Sequence, residues 1–303
     1  MTVAQYSDTA MVAATVGFIV AFFLHVAEWA FAGGLGERRN PDGSEDAKRT
    51  NVDLLGRLAV AATIVAAALN VFGVVTRGLA AGRPPWGNMY EFVTSAIALV
   101  AVVYLLCLWR WGMRWLGIGV TLLAALMLGL AVTVFYVDVA PLVPALHSVW
   151  FIIHIIAAVI AAAGFNIAGV ASLLYLVRSW AEDRAIRRGD DLTGYLAKLP
   201  SLKGLDTFAH RMHAFAFPIW TFTIVAGAIW AQYAWGRFWN WDPKETWSFI
   251  TWVVYAGYLH ASLTAGWRGR GAAAIALLGL VTFWFNFIGV NLLFSGLHSY
   301  AGI

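Results

Sequence analysis

Apolar runs and polar breaks alternate along this chain at a spacing that fixes its architecture. Runs long enough to cross the ~30 Å hydrocarbon core of a bilayer fall at about 9–31, 54–79, 90–109, 115–137, 149–177, 214–236, 247–266 and 271–292. The pattern predicts an all-α polytopic membrane helix bundle of about eight transmembrane helices. An even number of spans puts both termini on one side. No internal repeat, low-complexity tract or soluble domain interrupts the pattern, so residues 1–303 read as a single integral membrane domain. Composition agrees: the chain is 61% hydrophobic and 12% charged, with a mean hydropathy of +0.74. A soluble protein of this size cannot hide so much apolar surface.

Charge then orients the bundle. The segments 32–57, 108–115, 178–213 and 266–271 hold 16 of the 20 lysines and arginines, leaving Arg77, Arg83, Arg237 and Lys244 on the other side. By the positive-inside rule the four basic segments are cytoplasmic and both termini are expected to face outward. The basic pI therefore reflects topology and not nucleic-acid binding. The two long charged segments, 32–57 and 178–213, carry no enzymatic motif and read as solvated connections or a partner surface. Cys107 is the lone cysteine, which excludes an internal disulfide or a CxxC relay. Any redox chemistry must come from a cofactor or a partner. No cleavable leader is expected, since the first apolar run is long and lacks a basic start.

One outer segment, 235–249 (WGRFWNWDPKETWSF), stands apart. Seven of the 16 tryptophans fall within residues 220–252. Tryptophan is ordinary at a membrane interface, but that does not account for so dense a cluster beside Gly236 and Asn240. A large, flat, apolar ligand stacked on indoles accounts for it better. Asp242, Pro243 and Glu245 also form a helix-start signal: a capping residue, proline at the first helical position and glutamate at the third. Their first expected role is thus to begin the seventh helix, with direct ligand contact as the alternative. The outer loop GRPPWGNMYEF (82–92) repeats the logic with Asn88 as cap and Glu91 three residues on, after Pro84 and Pro85 stop the second helix.

The seven histidines separate by depth, and an intramembrane histidine is a functional candidate by default. His210 and His213 fall at the cytoplasmic mouth of the sixth helix beside Arg211 and receive no role. His154 follows a plausible cap, Ser148, by six residues, or roughly 9 Å at 1.5 Å per residue. His298 follows the last apolar run, so both belong near the outer face. His147, in the Pro141–Pro144 loop, competes with His154. His260 is 13 residues past Trp247, about 20 Å deeper. His25 reaches a similar depth of about 24 Å. Axial ligands of one haem iron must share a depth, so a haem held by His154 and His298 excludes His260. If haem is bound, depth predicts an outer and an inner site.

With these residues in view, WGRFWNWDPKETWSF resembles the "WWD" signature of haem-handling membrane proteins. HSVWFIIH (147–154), YLH (258–260), GLHSY (296–300) and RPPWGNMYEF resemble the CcsA (ResC) branch of System II cytochrome c biogenesis. The likeness covers about residues 80–303; residues 1–79 match only as hydrophobic segments. It implies a subunit of a cytochrome c synthase (haem lyase) in the bacterial cytoplasmic membrane. Such a subunit carries haem b across the bilayer and presents it for attachment to CxxCH motifs of apocytochrome c. On this likeness His154 and His298 are the two external haem ligands, and His260 is the transmembrane ligand of the inner haem. Trp235, Gly236, Trp239, Trp241, Asp242 and Trp247 fall in the haem-cradling segment. His147 carries no ligand role over. The complementary inner ligand is expected on a CcsB (ResB)-type partner, with His25 as a local candidate, and a thiol-reducing partner is implied.

The chemistry suits the residues. Imidazoles from two helices can clamp haem iron while the vinyl edge stays exposed to substrate thiols, and the protein supplies binding and orientation. Two other classes compete. A haem transporter would hand haem to a separate lyase, and a CxxCH peptide scored for covalent haem distinguishes it. An electron-transferring cytochrome b subunit would require matched histidine pairs at two depths, and the inner depth offers only His25 and His260.

Overall fold

The computed structural model describes residues 1–33, 35, 46–264 and 267–298. Its helices are α1 (Val3–Phe31), α2 (Asp46–Ala81), α3 (Met89–Trp111), α4 (Gly117–Thr133), α5 (Val149–Arg188), α6 (Tyr195–Lys198), α7 (Leu202–Trp235), α8 (Pro243–Leu263), α9 (Arg270–Trp284) and α10 (Val290–Leu293). A π-helical stretch, Phe285–Gly289, joins α9 to α10. No strand occurs among the described residues. The all-α membrane bundle expected from the apolar runs is what forms.

Among the described residues, seven helical segments are long and apolar enough to cross a membrane. The eighth expected span, 247–266, corresponds to α8, whose 21 residues reach about 31 Å. Its length suffices, but Lys244, Glu245, Ser248 and Thr251 dilute its apolar character. Those polar groups are the start of the site described below.

Helix starts follow the local signals. Asn88 caps α3 by accepting from the Glu91 amide at 2.9 Å, and Ser148 caps α5 by accepting from the Trp150 amide at 3.2 Å. Asp242 caps α8 in a full capping box with Glu245 and with Pro243 in the first turn. Glu91 does more than its position in a capping box suggests. Its fully buried carboxylate accepts from Arg77 Nε at 3.1 Å, Arg83 Nη1 at 2.7 Å and the Gly87 amide at 2.7 Å. This clamp ties the end of α2 to the start of α3, and Arg77 also reaches the Val137 carbonyl at 2.6 Å beyond α4.

Two expectations for the opposite side change. Segment 178–213 is only in part a solvated connection: α5 runs on to Arg188, Gly189 ends it in the left-handed region, residues 186–191 are exposed, and α6 then docks back on the bundle. Tyr195 and Leu199 are buried there, with the Tyr195 ring stacked on Trp29 at 4.4 Å. Two apolar anchors outweigh the charges around them. The other long connection, 32–57, falls partly outside the described residues. His213, placed by sequence at the interface, is fully buried against the Tyr258 ring at 4.3 Å.

The bundle divides into packed neighbourhoods. Helices α1–α4 share one core around Met11, Phe18, Tyr90 and Ile97. Helices α5, α7, α8 and α9 share another around Phe165, Trp220, Tyr255 and Phe283, with Phe165 stacked on Tyr255 at 3.9 Å. The site lies in this second group, where α5 and α7 pack along much of their length.

Candidate functional site

A cavity of about 1150 Å³, counted with its mouth, opens among α3, α5, α7, α8 and the π-helical stretch. Both His154 and His298 line it, together with Trp86, Trp220, Trp230 and Trp239. The walls are mainly apolar and aromatic.

Each histidine is held from behind. His154 projects from α5, and its Nδ1 lies 2.9 Å from the Thr223 carbonyl on α7. A carbonyl only accepts, so Nδ1 carries the proton and Nε2 carries the lone pair. The close approach that allows this contact needs Gly227: a Cβ there would sit 2.8 Å from His154 Nδ1. His298 follows α10, with Nδ1 3.0 Å from Asp242 Oδ1. An ionised carboxylate also only accepts, so His298 takes the same tautomer. Burial pushes the His298 imidazole below its ordinary pKa, against the pull of Asp242. The Asp242 carboxyl is held down at about 2, because hydrogen bonds from His298 and the Leu297 and Lys244 amides outweigh its burial. Two neutral imidazoles therefore line one cavity with the lone pair on Nε2, the nitrogen able to coordinate a metal, each backed by an acceptor at Nδ1. That is the usual support of metal-ligating histidine.

Trp230 links the pair. Its ring lies 5.8 Å from His154 in a stacked arrangement and 5.7 Å from His298 edge-on. Its Nε1 donates to the Ala145 carbonyl at 2.8 Å.

The residues of 235–249 divide by place. Trp239 lines the cavity. Trp235 stands behind it, packed on Trp230 at 4.9 Å and His298 at 5.0 Å. Gly236 ends α7 in the left-handed region at φ 72. Trp241 does not line the cavity; its ring is 65% exposed and meets Trp239 edge-on. Its φ of 56 is rare for a bulky residue and marks the sharp turn before the cap. Trp247 also lies off the cavity, against Phe285 at 4.2 Å.

Asp242 combines the two roles that sequence reading set against each other. Oδ1 caps α8 at the Lys244 amide (3.1 Å), while Oδ2 accepts from the Leu297 amide at 2.9 Å. Gly296 must lack a side chain here, since a Cβ would meet Asp242 Oδ2 at 2.7 Å. One carboxylate thus starts α8 and docks the 296–298 turn. Residues 299–300 of the GLHSY motif lie outside the described residues.

The remaining histidines are elsewhere. His147 is exposed, off the cavity, with Nε2 3.4 Å from the Leu142 carbonyl. His260 lies exposed on α8. His25 is fully buried on α1, with Nδ1 3.2 Å from the Glu28 carboxylate and its ring against Gly117. Helix α1 packs on α2 and α4, and α8 on α7 and α9. Nothing in this packing brings His25 and His260 together.

Sequence reading passed over Trp230, Thr223 and Gly227, although their spacing of four and three residues puts them on one face of α7. It also passed over Asn286 and Asn291, two amides within the last apolar run that line the cavity. The π-helical stretch that carries Asn286 had no sequence signal. Such stretches occur often at functional sites.

These features define a multi-pass helical membrane protein with a paired-histidine cavity next to a tryptophan-rich turn. The chain belongs to the cytochrome c assembly protein family, whose model matches residues 86–298. Within it the chain is of the CcsA type and its role lies in cytochrome c biogenesis. It is 33% identical over 275 residues to the cytochrome c biogenesis protein CcsA of Trieres chinensis, covering 82% of this chain and 87% of that one. It is 35% identical over 241 residues to CcsA of Guillardia theta, covering 74% and 79%. Among solved structures, the cytochrome c haem lyase CcmF shares the fold with a TM-score of 0.60 at 15% identity, over 95% of this chain and 49% of that chain. The chain thus spans about half the length of that lyase.

Proposed function

We propose that this chain binds haem b at the outer cavity and presents it for thioether attachment to the CxxCH motif of an apocytochrome c. The observation that carries this reading is the pair His154 and His298, both in the Nδ1–H tautomer and both lining one aromatic cavity. The fit favours haem as substrate: two imidazole Nε2 atoms for iron, indoles for the porphyrin faces, and an open mouth for a peptide. The names of the CcsA relatives and of the haem lyase neighbour support the same assignment.

When bound, haem supplies the vinyl groups. Each substrate thiol adds across one, forming a C–S bond while the thiol hydrogen ends on the neighbouring carbon, so no net oxidant is consumed. The chain's own residues orient and release. Thr223 and Asp242 hold the two imidazoles, Trp230 and Trp239 wall the cavity, and the substrate histidine replaces one chain histidine as product leaves.

The proposal extends to topology and partners. The cavity and the 235–249 turn face the extracytoplasmic side of a bacterial cytoplasmic membrane, as do both termini. Haem reaches them from an inner site at His260. That residue's exposed position on α8 supports a second inner ligand from a CcsB (ResB)-type membrane subunit. A thiol-reducing partner keeps the CxxCH cysteines reactive.

The test is the absorption spectrum of the purified chain, with and without the co-expressed partner, followed by addition of a CxxCH peptide. A reduced bis-histidine haem signal and covalent haem on the peptide are expected. A complex that takes up no histidine-ligated haem would overturn the reading. A complex that holds haem yet never forms thioethers would make the chain a transporter only.

A further inference from the structure

The polar end of the cavity holds a lysine that the iron ligands do not explain. Lys244, in the first turn of α8, is the one lysine or arginine among the cavity-lining residues. Its Nζ donates to Asn291 Oδ1 at 2.8 Å and stands 5.4 Å from the centre of the Phe287 ring. No carboxylate pairs with it among the described residues. The two acids nearest in sequence are already committed. Asp242 accepts from His298, Leu297 and the Lys244 backbone amide. Glu245 accepts from Arg237 at 3.1 Å and from the Asn240 and Asp242 amides. Asn286, 5% exposed and lining the same cavity, has an amide oxygen with no hydrogen-bond partner, so no bond through that oxygen opposes rotation of its amide.

A cation facing an apolar cavity without a counter-charge is costly, and so is an orphaned amide. The cost of the cation falls if the occupant brings an anion, to which a rotated Asn286 can offer Nδ2. We infer that Lys244, held in place by the Asn291 carbonyl and sharing the cavity lining with the Asn286 amide, forms a carboxylate subsite that takes a propionate of the bound porphyrin. Lys244 supplies a charge-assisted hydrogen bond from a donor left over after Asn291. Asn286 rotates its amide to offer Nδ2, leaving its oxygen to face the cavity water or peptide. The proposal rests on the haem reading above and deepens it. The histidines fix the iron, whereas the subsite fixes rotation of the ring about the iron axis. It therefore decides which edge, and hence which vinyl groups, face the mouth where the peptide enters.

The test compares iron protoporphyrin IX with its dimethyl ester, which keeps iron and vinyls but blocks both carboxylates. Each is titrated into the purified full chain with its partner, and the histidine-ligated absorption band is read. Wild type should bind the ester at least about tenfold more weakly than the acid, as expected for loss of a charge-assisted bond. Lys244→Met should bind acid and ester alike, and Lys244→Arg should restore the preference. Equal binding of acid and ester by wild type would overturn the subsite while leaving the haem reading intact. So would a preference that survives in Lys244→Met. Absence of a histidine-ligated band with either porphyrin would overturn both. If Lys244→Met does not accumulate, the wild-type comparison of acid with ester still decides the question.

Discussion

Asp242→Asn separates two jobs that Asp242→Ala would abolish together. The side chain uses Oδ1 for the Lys244 amide and for His298 Nδ1, and Oδ2 for the Leu297 amide. Asparagine is as good a helix cap as aspartate, so with its oxygen in the Oδ1 position α8 keeps its start. The amide nitrogen then faces the Leu297 N–H, donor against donor, and the turn loses its charged acceptor. A hydrogen bond to a charged group contributes about 1.5–3 kcal/mol. At about 1.4 kcal/mol per tenfold, the docked position of the 296–298 turn should lose roughly a factor of 10 to 100 in population. Alanine would add the loss of the cap, about 0.5–2 kcal/mol, and disturb α8 itself. Accumulated protein, haem per protein and covalent cytochrome c should be measured for both variants. Asp242→Asn is expected to accumulate like wild type yet retain less outer haem. Asp242→Ala should fall in protein level as well. Full haem retention and normal cytochrome assembly in Asp242→Asn would refute the claim that this carboxylate positions His298.

Five other substitutions probe the site and its frame. His154→Ala and His298→Ala should each abolish c-type cytochrome assembly, with partial recovery on adding imidazole, which refills an open coordination position; His147→Ala, off the cavity, should be mild, and normal assembly in either ligand variant removes that residue from the mechanism. Gly227→Ala places a methyl 2.8 Å from His154 Nδ1 and should displace the ring, lowering haem per protein several-fold while the protein accumulates; unchanged haem content would show that His154 does not need this register. Glu91→Gln leaves buried Arg77 without its counter-charge, a loss on the order of 3–5 kcal/mol, seen as a sharp fall in thermal stability or yield; a wild-type melting profile would exclude a structural role for the clamp.

Much of the architecture was legible because a bilayer permits few solutions. An apolar run must become a helix in hydrocarbon, where each backbone group needs an internal partner. That is why the spans, and the caps at Asn88, Ser148 and Asp242, could be read from residues alone. The helices outside hydrocarbon were harder to read. Segment 178–213 carries seven basic residues and looks solvated, yet Tyr195 and Leu199 pull it onto the bundle. Contacts between residues far apart in the chain outweighed local composition there. The same holds for His213, whose burial depends on a tyrosine from α8.

The site divides along the same line. By itself the sequence determined the element types, the common level of His154 and His298 at one end of the bundle, and the capping chemistry of Asp242, because each depends on neighbours within a turn or two of helix. Only the tertiary structure decided which tryptophans face the cavity. Trp239 and Trp230 do, while Trp241 and Trp247 do not, although all four are equally tryptophan in the sequence. Facing is set by helix rotation and by one left-handed residue before the cap. The tertiary structure also decided that Asp242 reaches His298 across 56 residues, and that Lys244 stands in the cavity without a paired acid among the described residues. Those relations arise from packing α5, α7, α8 and the π-helical stretch against one another. No local pattern carries them, since the free energy that fixes them is shared among side chains the sequence keeps apart.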